Sequence, residues 1–175
     1  MAFANPDGNV AQLGKIEGLS VADFGAGTGA YTIAFAKKVG DSGRVYAIEV
    51  RKDLLSKIKN TAANLGLSNV EVIWGDIERP EATKLADRSV DIVVAANVLF
   101  QVEDKTGFVS EVKRVLKPKG RVLFVDWRDS YGGLGPPQDA VVRPDEARRF
   151  FENDGFEFVS TIESGDHHYG FVMSR

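Results

Sequence analysis

The chemistry-bearing residues of this chain gather where an apolar run gives way to glycine, in Val21-Ala22-Asp23-Phe24-Gly25-Ala26-Gly27-Thr28-Gly29. Such an order reads as strand, tight turn and helix. Glycine has no Cβ, so the turn can take a left-handed conformation and a ligand can approach the main chain closely. The first N–H groups of the following helix would then face that ligand. Glu49, at the end of the next apolar run, lies twenty residues past Gly29. A carboxylate there can accept both hydroxyl protons of a ribose. Gly25-x-Gly27-x-x-Ala30 also fits the dinucleotide fingerprint, so the loop alone leaves the ligand open between a nicotinamide dinucleotide and another adenosine compound. Three glycines in five positions weigh against a loop that only turns the chain.

The elements that must hold these groups alternate. Leu19–Phe24 reads as the first strand, 31–39 as a helix ended by Gly40, and Val45–Ile48 as the second strand. Leu54, Leu55, Ile58, Ala62 and Leu65 recur at helical spacing before a left-handed cap at Gly66. Val70–Trp74 and Val90–Ala95 are strands three and four. Phe108–Leu116 is a helix stopped by Pro118 and Gly120, and Arg121–Val125 is strand five. Alternation throughout predicts a parallel sheet with helices on both faces. The tail differs: 131–137 is a Gly/Pro-rich loop, Pro144 opens a helix that Gly155 ends, and Phe156–Ile162 and His167–Met173 are too closely joined for a crossover. They should pair as an antiparallel hairpin at the sheet edge. The expected fold is therefore α/β, a three-layer αβα sandwich with a doubly wound, seven-stranded, mostly parallel sheet and an antiparallel last strand. Upstream, Asn5-Pro6-Asp7-Gly8 reads as a turn, and 10–15 as at most a short helix.

Composition narrows the function. With 175 residues and 43% hydrophobic content, one soluble domain is expected over 1–175, a short N-terminal segment at 1–17 preceding a Rossmann-like core at 18–175. The net charge of −3 offers no general attraction to nucleic acid. With no cysteine there is no disulfide, thiolate metal site or cysteine nucleophile. No apolar run is long enough to span a bilayer and 1–13 lacks signal-peptide features, so a cytoplasmic location is expected. His167 and His168, adjacent on a strand, would face opposite sides of the sheet, and no metal site is expected. Asp104 reads as a helix cap rather than a catalytic acid, and Trp74 and Trp127 read as packing.

Taken together, Asp23 to Gly29, Glu49, Gly75-Asp76 after strand three, the run Val90 to Leu99, Val115 to Arg121 and the final hairpin resemble a class I S-adenosylmethionine-dependent methyltransferase, a small stand-alone member similar to the type 11/25 group. That resemblance implies S-adenosyl-L-methionine as cofactor. It implies Asp23, Gly25, Ala26, Gly27 and Gly29 around the methionine moiety, Glu49 on the ribose, Asp76 on the adenine amino group, Val50 and Ile77 on the two faces of the base, and Asn97 at the methionine end. It assigns no general base. The acceptor, expected to be a small molecule, would sit among 99–103, 126–137 and the N-terminus. The absence of cysteine argues against the arsenite-methylating members. A nicotinamide-dependent oxidoreductase and a non-catalytic, S-adenosylmethionine-binding partner subunit are the competing readings.

Overall fold

In the computed structural model, which describes residues 4–175, short branched and apolar runs form a single sheet between two helical layers. The elements are α1 (Pro6–Ala11), β1 (Ser20–Phe24), α2 (Ala30–Val39), β2 (Arg44–Glu49), α3 (Lys52–Asn64), β3 (Val70–Trp74), β4 (Val90–Ala96), α4 (Lys105–Val115), β5 (Leu116–Trp127), α5 (Pro144–Asn153), β6 (Glu157–Ile162) and β7 (His168–Ser174). The sheet order is β3-β2-β1-β4-β5-β7-β6. Strands β1 to β5 run parallel, and β7 is antiparallel to both β5 and β6. The expected seven-stranded αβα sandwich is thus found. From β1 the chain first builds outward through β2 and β3, then returns to lay β4 on the other side of β1. Ligands of open α/β sheets bind beyond the carboxyl ends of the strands at such a reversal.

Strand alternation divides the core. Val21, Ile92, Val94, Leu123 and Val125 pack with α1 and α2, whereas Ala22, Phe24, Val93, Val122 and Phe124 pack with α4 and α5. On the second face Phe24, Phe108, Phe124, Phe151 and Phe171 meet edge-on or stacked, with centroids 4.9 to 6.4 Å apart.

Four expectations need correction. Asn5-Pro6-Asp7-Gly8 begins α1 rather than forming a separate turn. The Asn5 side chain accepts from the Gly8 amide at 3.1 Å, Pro6 takes the first turn and Asp7 suits its positive end. Strand β5 starts at Leu116, immediately after α4. The chain reaches β4 at Val90↔Leu116, bulges, and pairs again at Ile92↔Arg121, so Pro118 and Gly120 sit in the irregular stretch. Between β3 and β4 no helix intervenes, because the buried Glu111 carboxylate of α4 accepts from the Glu81 amide (3.0 Å) and the Thr83 hydroxyl (2.5 Å) and holds that segment as a loop. Finally, Trp74 is not core. It is 53% exposed on the outer strand, with the Lys52 and Lys84 ammonium groups 4.5 and 5.1 Å from its ring. Asp104 does cap α4, accepting from the Gly107 amide at 2.8 Å.

Candidate cofactor and acceptor site

The glycine turn is folded back on β2 by its own backbone. The Gly25 and Ala26 amides both donate to the Ile48 carbonyl, at 3.0 and 2.9 Å. The Gly27 amide donates to Glu49 Oε2 at 2.9 Å, while Glu49 Oε1 accepts from the Arg51 amide at 3.0 Å. One carboxylate therefore fastens the turn to the end of β2, with lone pairs still available on both oxygens. The amides of residues 25 to 27 are thus committed within the chain. Gly25 has φ +75°, and a Cβ there would lie 2.6 Å from Val98 Cγ1, so only glycine lets the loop after β4 close over β1. Gly29 serves a different contact: a Cβ on it would lie 2.7 Å from Ile58 Cγ1, which places this glycine between α2 and α3, outside the cavity lining.

That cavity, about 600 Å³, lies at the carboxyl ends of β1 to β4. It is within the range of small-molecule sites, roughly 300 to 1,000 Å³. Asp23, Gly25, Ala26, Gly27, Glu49, Val50, Asp76, Ile77 and Asn97 all line it, so nine of the ten expected positions converge on one space. Asp23 is buried and accepts the Thr32 hydroxyl proton at 2.6 Å. Burial raises its pKa to about 7; the Thr32 hydrogen bonds oppose this and the Glu49 charge adds to it. Asp76 is more open, accepting from the Glu78 amide at 3.0 Å and pairing with Arg79 at 3.2 Å. Val50, 57% exposed, stands at the mouth. Asn97 takes φ +58° at the end of β4, and its buried Oδ1 has no hydrogen-bond partner.

Sequence reasoning missed part of the wall. Ala4, Pro6 and Tyr31 line the cavity as well, because α1 docks on α2. With the Asn9 amide turned to satisfy its neighbours, Asn9 accepts from the Tyr31 hydroxyl at 2.7 Å and donates to the Glu163 carbonyl at 2.9 Å, tying α1 to the β6–β7 loop. The Asn-Pro pair was the available signal. Asp126, at the end of β5, was named only within a segment. Its buried carboxylate accepts from the Leu99 amide (3.0 Å) and the Trp127 amide (2.8 Å), fixing the loop after β4, and burial lifts its pKa to about 6 against these bonds. The histidines do part, although only His168 lies in a strand. His167 pairs with Asp129 at 2.9 Å and stacks on Tyr131, while His168 is buried against Trp127. No cluster able to hold a metal occurs among the described residues.

A reversed-order parallel sheet with an acid-lined, nucleoside-sized cleft at its switch point defines a Rossmann-like methyltransferase architecture. The sequence model for the methyltransferase domain matches residues 15–153, and the chain belongs to that family. Among solved structures, an S-adenosylmethionine-dependent methyltransferase from Aquifex aeolicus superposes with a TM-score of 0.88 at 29% identity, covering 98% of this chain and 90% of that one. Among curated proteins, the ubiquinone/menaquinone biosynthesis C-methyltransferase UbiE of Klebsiella pneumoniae is 32% identical over 115 residues, covering 65% of this chain and 45% of that protein. An arsenite methyltransferase of Aquipseudomonas alcaligenes is 32% identical over 115 residues, 63% of this chain and 33% of that protein. The chain thus spans about half or less of the curated relatives it matches.

S-adenosylmethionine is the cofactor of this class, and the donor set suits it. Its ammonium, ribose diol and adenine amino group all call for acceptors. The cavity offers the carboxylates of Asp23, Glu49 and Asp76 and, in Asn97 Oδ1, a buried acceptor still lacking a donor.

Proposed function

We propose that this chain binds S-adenosylmethionine in the β1–β4 cleft and transfers its methyl group to a small-molecule acceptor held beside Asn97 and the ends of β4 and β5, the whole of 1–175 acting as one domain. The observation that carries the reading is the arrival of Asp23, Glu49 and Asp76, distant in sequence, in one cavity. Glu49 accepts from the ribose hydroxyls while keeping the Gly27 and Arg51 amides. Asp76 receives the adenine amino group, and Val50 and Ile77 cover the faces of the base. Asp23 and Asn97 Oδ1, with the backbone of Gly25 to Gly27, accept the methionine ammonium.

When bound, the sulfonium supplies a methyl carbon already activated for displacement. The chain's own task is positional. Asn97, Val98 and the loop fastened by Asp126 set the line along which an acceptor lone pair approaches, and Pro6 and Tyr31 keep water from that end. The relatives are named for ubiquinone and menaquinone biosynthesis and for arsenite methylation, chemistry on small molecules, and a small acceptor fits an open groove of this size. A chain without cysteine is not suited to arsenite handled through thiols. No helix among the described residues is long and apolar enough to cross a membrane, and a cytoplasmic site of action accords with this reading.

The glycine turn also fits a dinucleotide, so the test compares the two ligands directly. Calorimetric titration should show S-adenosylhomocysteine binding with a stoichiometry of one and NADH not binding. The reverse preference would replace methyl transfer with hydride transfer.

A further inference from the structure

The turn after β2 begins with Glu49, the ribose acceptor, and Val50, which covers one face of the base. Val50 is 57% exposed, so packing of its own side chain does little to fix it. Its backbone is held instead, and from two sides. Facing the cavity, Glu49 Oε1 accepts from the Arg51 amide at 3.0 Å. On the outer side, the Trp74 indole N–H donates to the Val50 carbonyl at 2.9 Å. Trp74 pairs with Glu49 in register, so it stands one strand outward on the same face of the sheet.

The same residue anchors the opposite wall. Gly75, Asp76 and Ile77 follow Trp74 directly, and the Gly75 amide returns to the Glu49 carbonyl at 3.3 Å. The Lys84 ammonium donates to the Trp74 carbonyl at 2.6 Å and lies 5.1 Å from the ring centre, while Lys52, the first residue of α3, reaches the ring at 4.5 Å. Lys84 does so from φ +60°, a conformation uncommon outside glycine. An indole left 53% exposed at the end of an edge strand contributes less through burial than a core aromatic does. What sets Trp74 apart is its connections: it joins the turn bearing Val50 to the loop bearing Asp76 and Ile77.

We propose that Trp74 is a positioning residue for the adenine end of the cofactor, holding Val50 over one face of the base and in register with Asp76 and Ile77. This rests on the methyl-transfer reading above. Trp74 does not line the cavity, and it acts through Val50. With the indole bond made, the slot for the base is set before the cofactor arrives, which lowers the ordering cost of binding. With the bond broken, water takes over the Val50 carbonyl and the turn is free to swing outward, so the base loses one cover and sits less firmly on Asp76.

Trp74→Phe keeps an aromatic ring at the site and removes the N–H donor. The full-length variant should bind S-adenosylhomocysteine and 5′-methylthioadenosine about 2- to 10-fold more weakly, the worth of one hydrogen bond. It should also discriminate less between S-adenosylhomocysteine and S-inosylhomocysteine, in which oxygen replaces the base amino group that Asp76 accepts. A general loss of stability would weaken both ligands alike and leave that ratio unchanged. Coupling between the indole bond and the cofactor is reciprocal. In the wild type, saturating S-adenosylhomocysteine should therefore slow solvent exchange of the Trp74 indole proton by a similar factor, the signal being assigned from its proximity to Val50. That second measurement decides the matter if the variant fails to fold. An unchanged affinity or an unchanged ratio in Trp74→Phe, or an indole exchange rate indifferent to S-adenosylhomocysteine, would overturn the proposal. Failure of S-adenosylhomocysteine itself to bind the wild type would instead remove the methyl-transfer reading on which it rests.

Discussion

At the β1–β2 end of the groove, Glu49 holds one backbone amide on each oxygen, Asp23 holds Thr32, and Gly25 is pressed against Val98. Along β5 and β7, outside the cavity lining, the His168 ring nitrogens hold no hydrogen bond, and Gly132 and Gly133 in the loop after β5 face open space. The first end is fixed before any ligand arrives, which lowers the ordering cost of binding a cofactor that is always the same. The second leaves two buried ring nitrogens without a hydrogen bond.

Replacing glycine by alanine at the two ends should expose this contrast most strongly. Gly25 and Gly133 have nearly equal φ, +75° and +77°, so backbone strain is the same for both. Only Gly25 adds a clash with Val98. Gly25→Ala should therefore cost about 2 to 4 kcal/mol in urea unfolding, against about 1 kcal/mol for Gly133→Ala. Equal costs would show that the β1 end is no tighter than the other.

Asp23→Asn should separate rigidity from binding, with an intermediate effect. Burial lifts the Asp23 pKa from 3.8 to about 7, so the folded chain keeps a proton that the unfolded chain releases. Its contribution to stability is complete below about pH 4 and is lost as pH rises toward 7. The asparagine variant carries no such loss and should gain about 1 to 3 kcal/mol over the wild type at pH 8. It should also bind the cationic cofactor less well, and wild-type affinity should decline as pH falls below about 7. Chemical unfolding at pH 5 and pH 8 checks the first effect; a variant no more stable at pH 8 would contradict it.

The same contrast explains what the sequence disclosed. The turn at 25–29, Glu49 after β2 and the closely spaced final strands are short-range patterns, each requiring particular residue types at adjacent positions; with the positions that the family resemblance implied, nine of the ten named line the cavity. Gly29 lies outside the lining, against Ile58, nearly thirty residues away on another helix, a contact no local pattern discloses. Glu111 shaping the β3–β4 loop, Asp126 holding the loop after β4, and His168 left without a partner arise from contacts between segments that the chain brings together only on folding. Pro6 looked like part of a turn because an Asn-Pro-Asp-Gly run serves a turn and a capped helix start equally well.

The central claim, that the carboxylates of Asp23, Glu49 and Asp76 hold one S-adenosyl cofactor, is tested most directly by titrating S-adenosylhomocysteine into the wild type and into Asp23→Asn, Glu49→Gln and Asp76→Asn. One site per chain should persist, with affinity falling about 5- to 150-fold in each variant, the span for losing a charge-assisted hydrogen bond. Unchanged affinity in any of the three would contradict it.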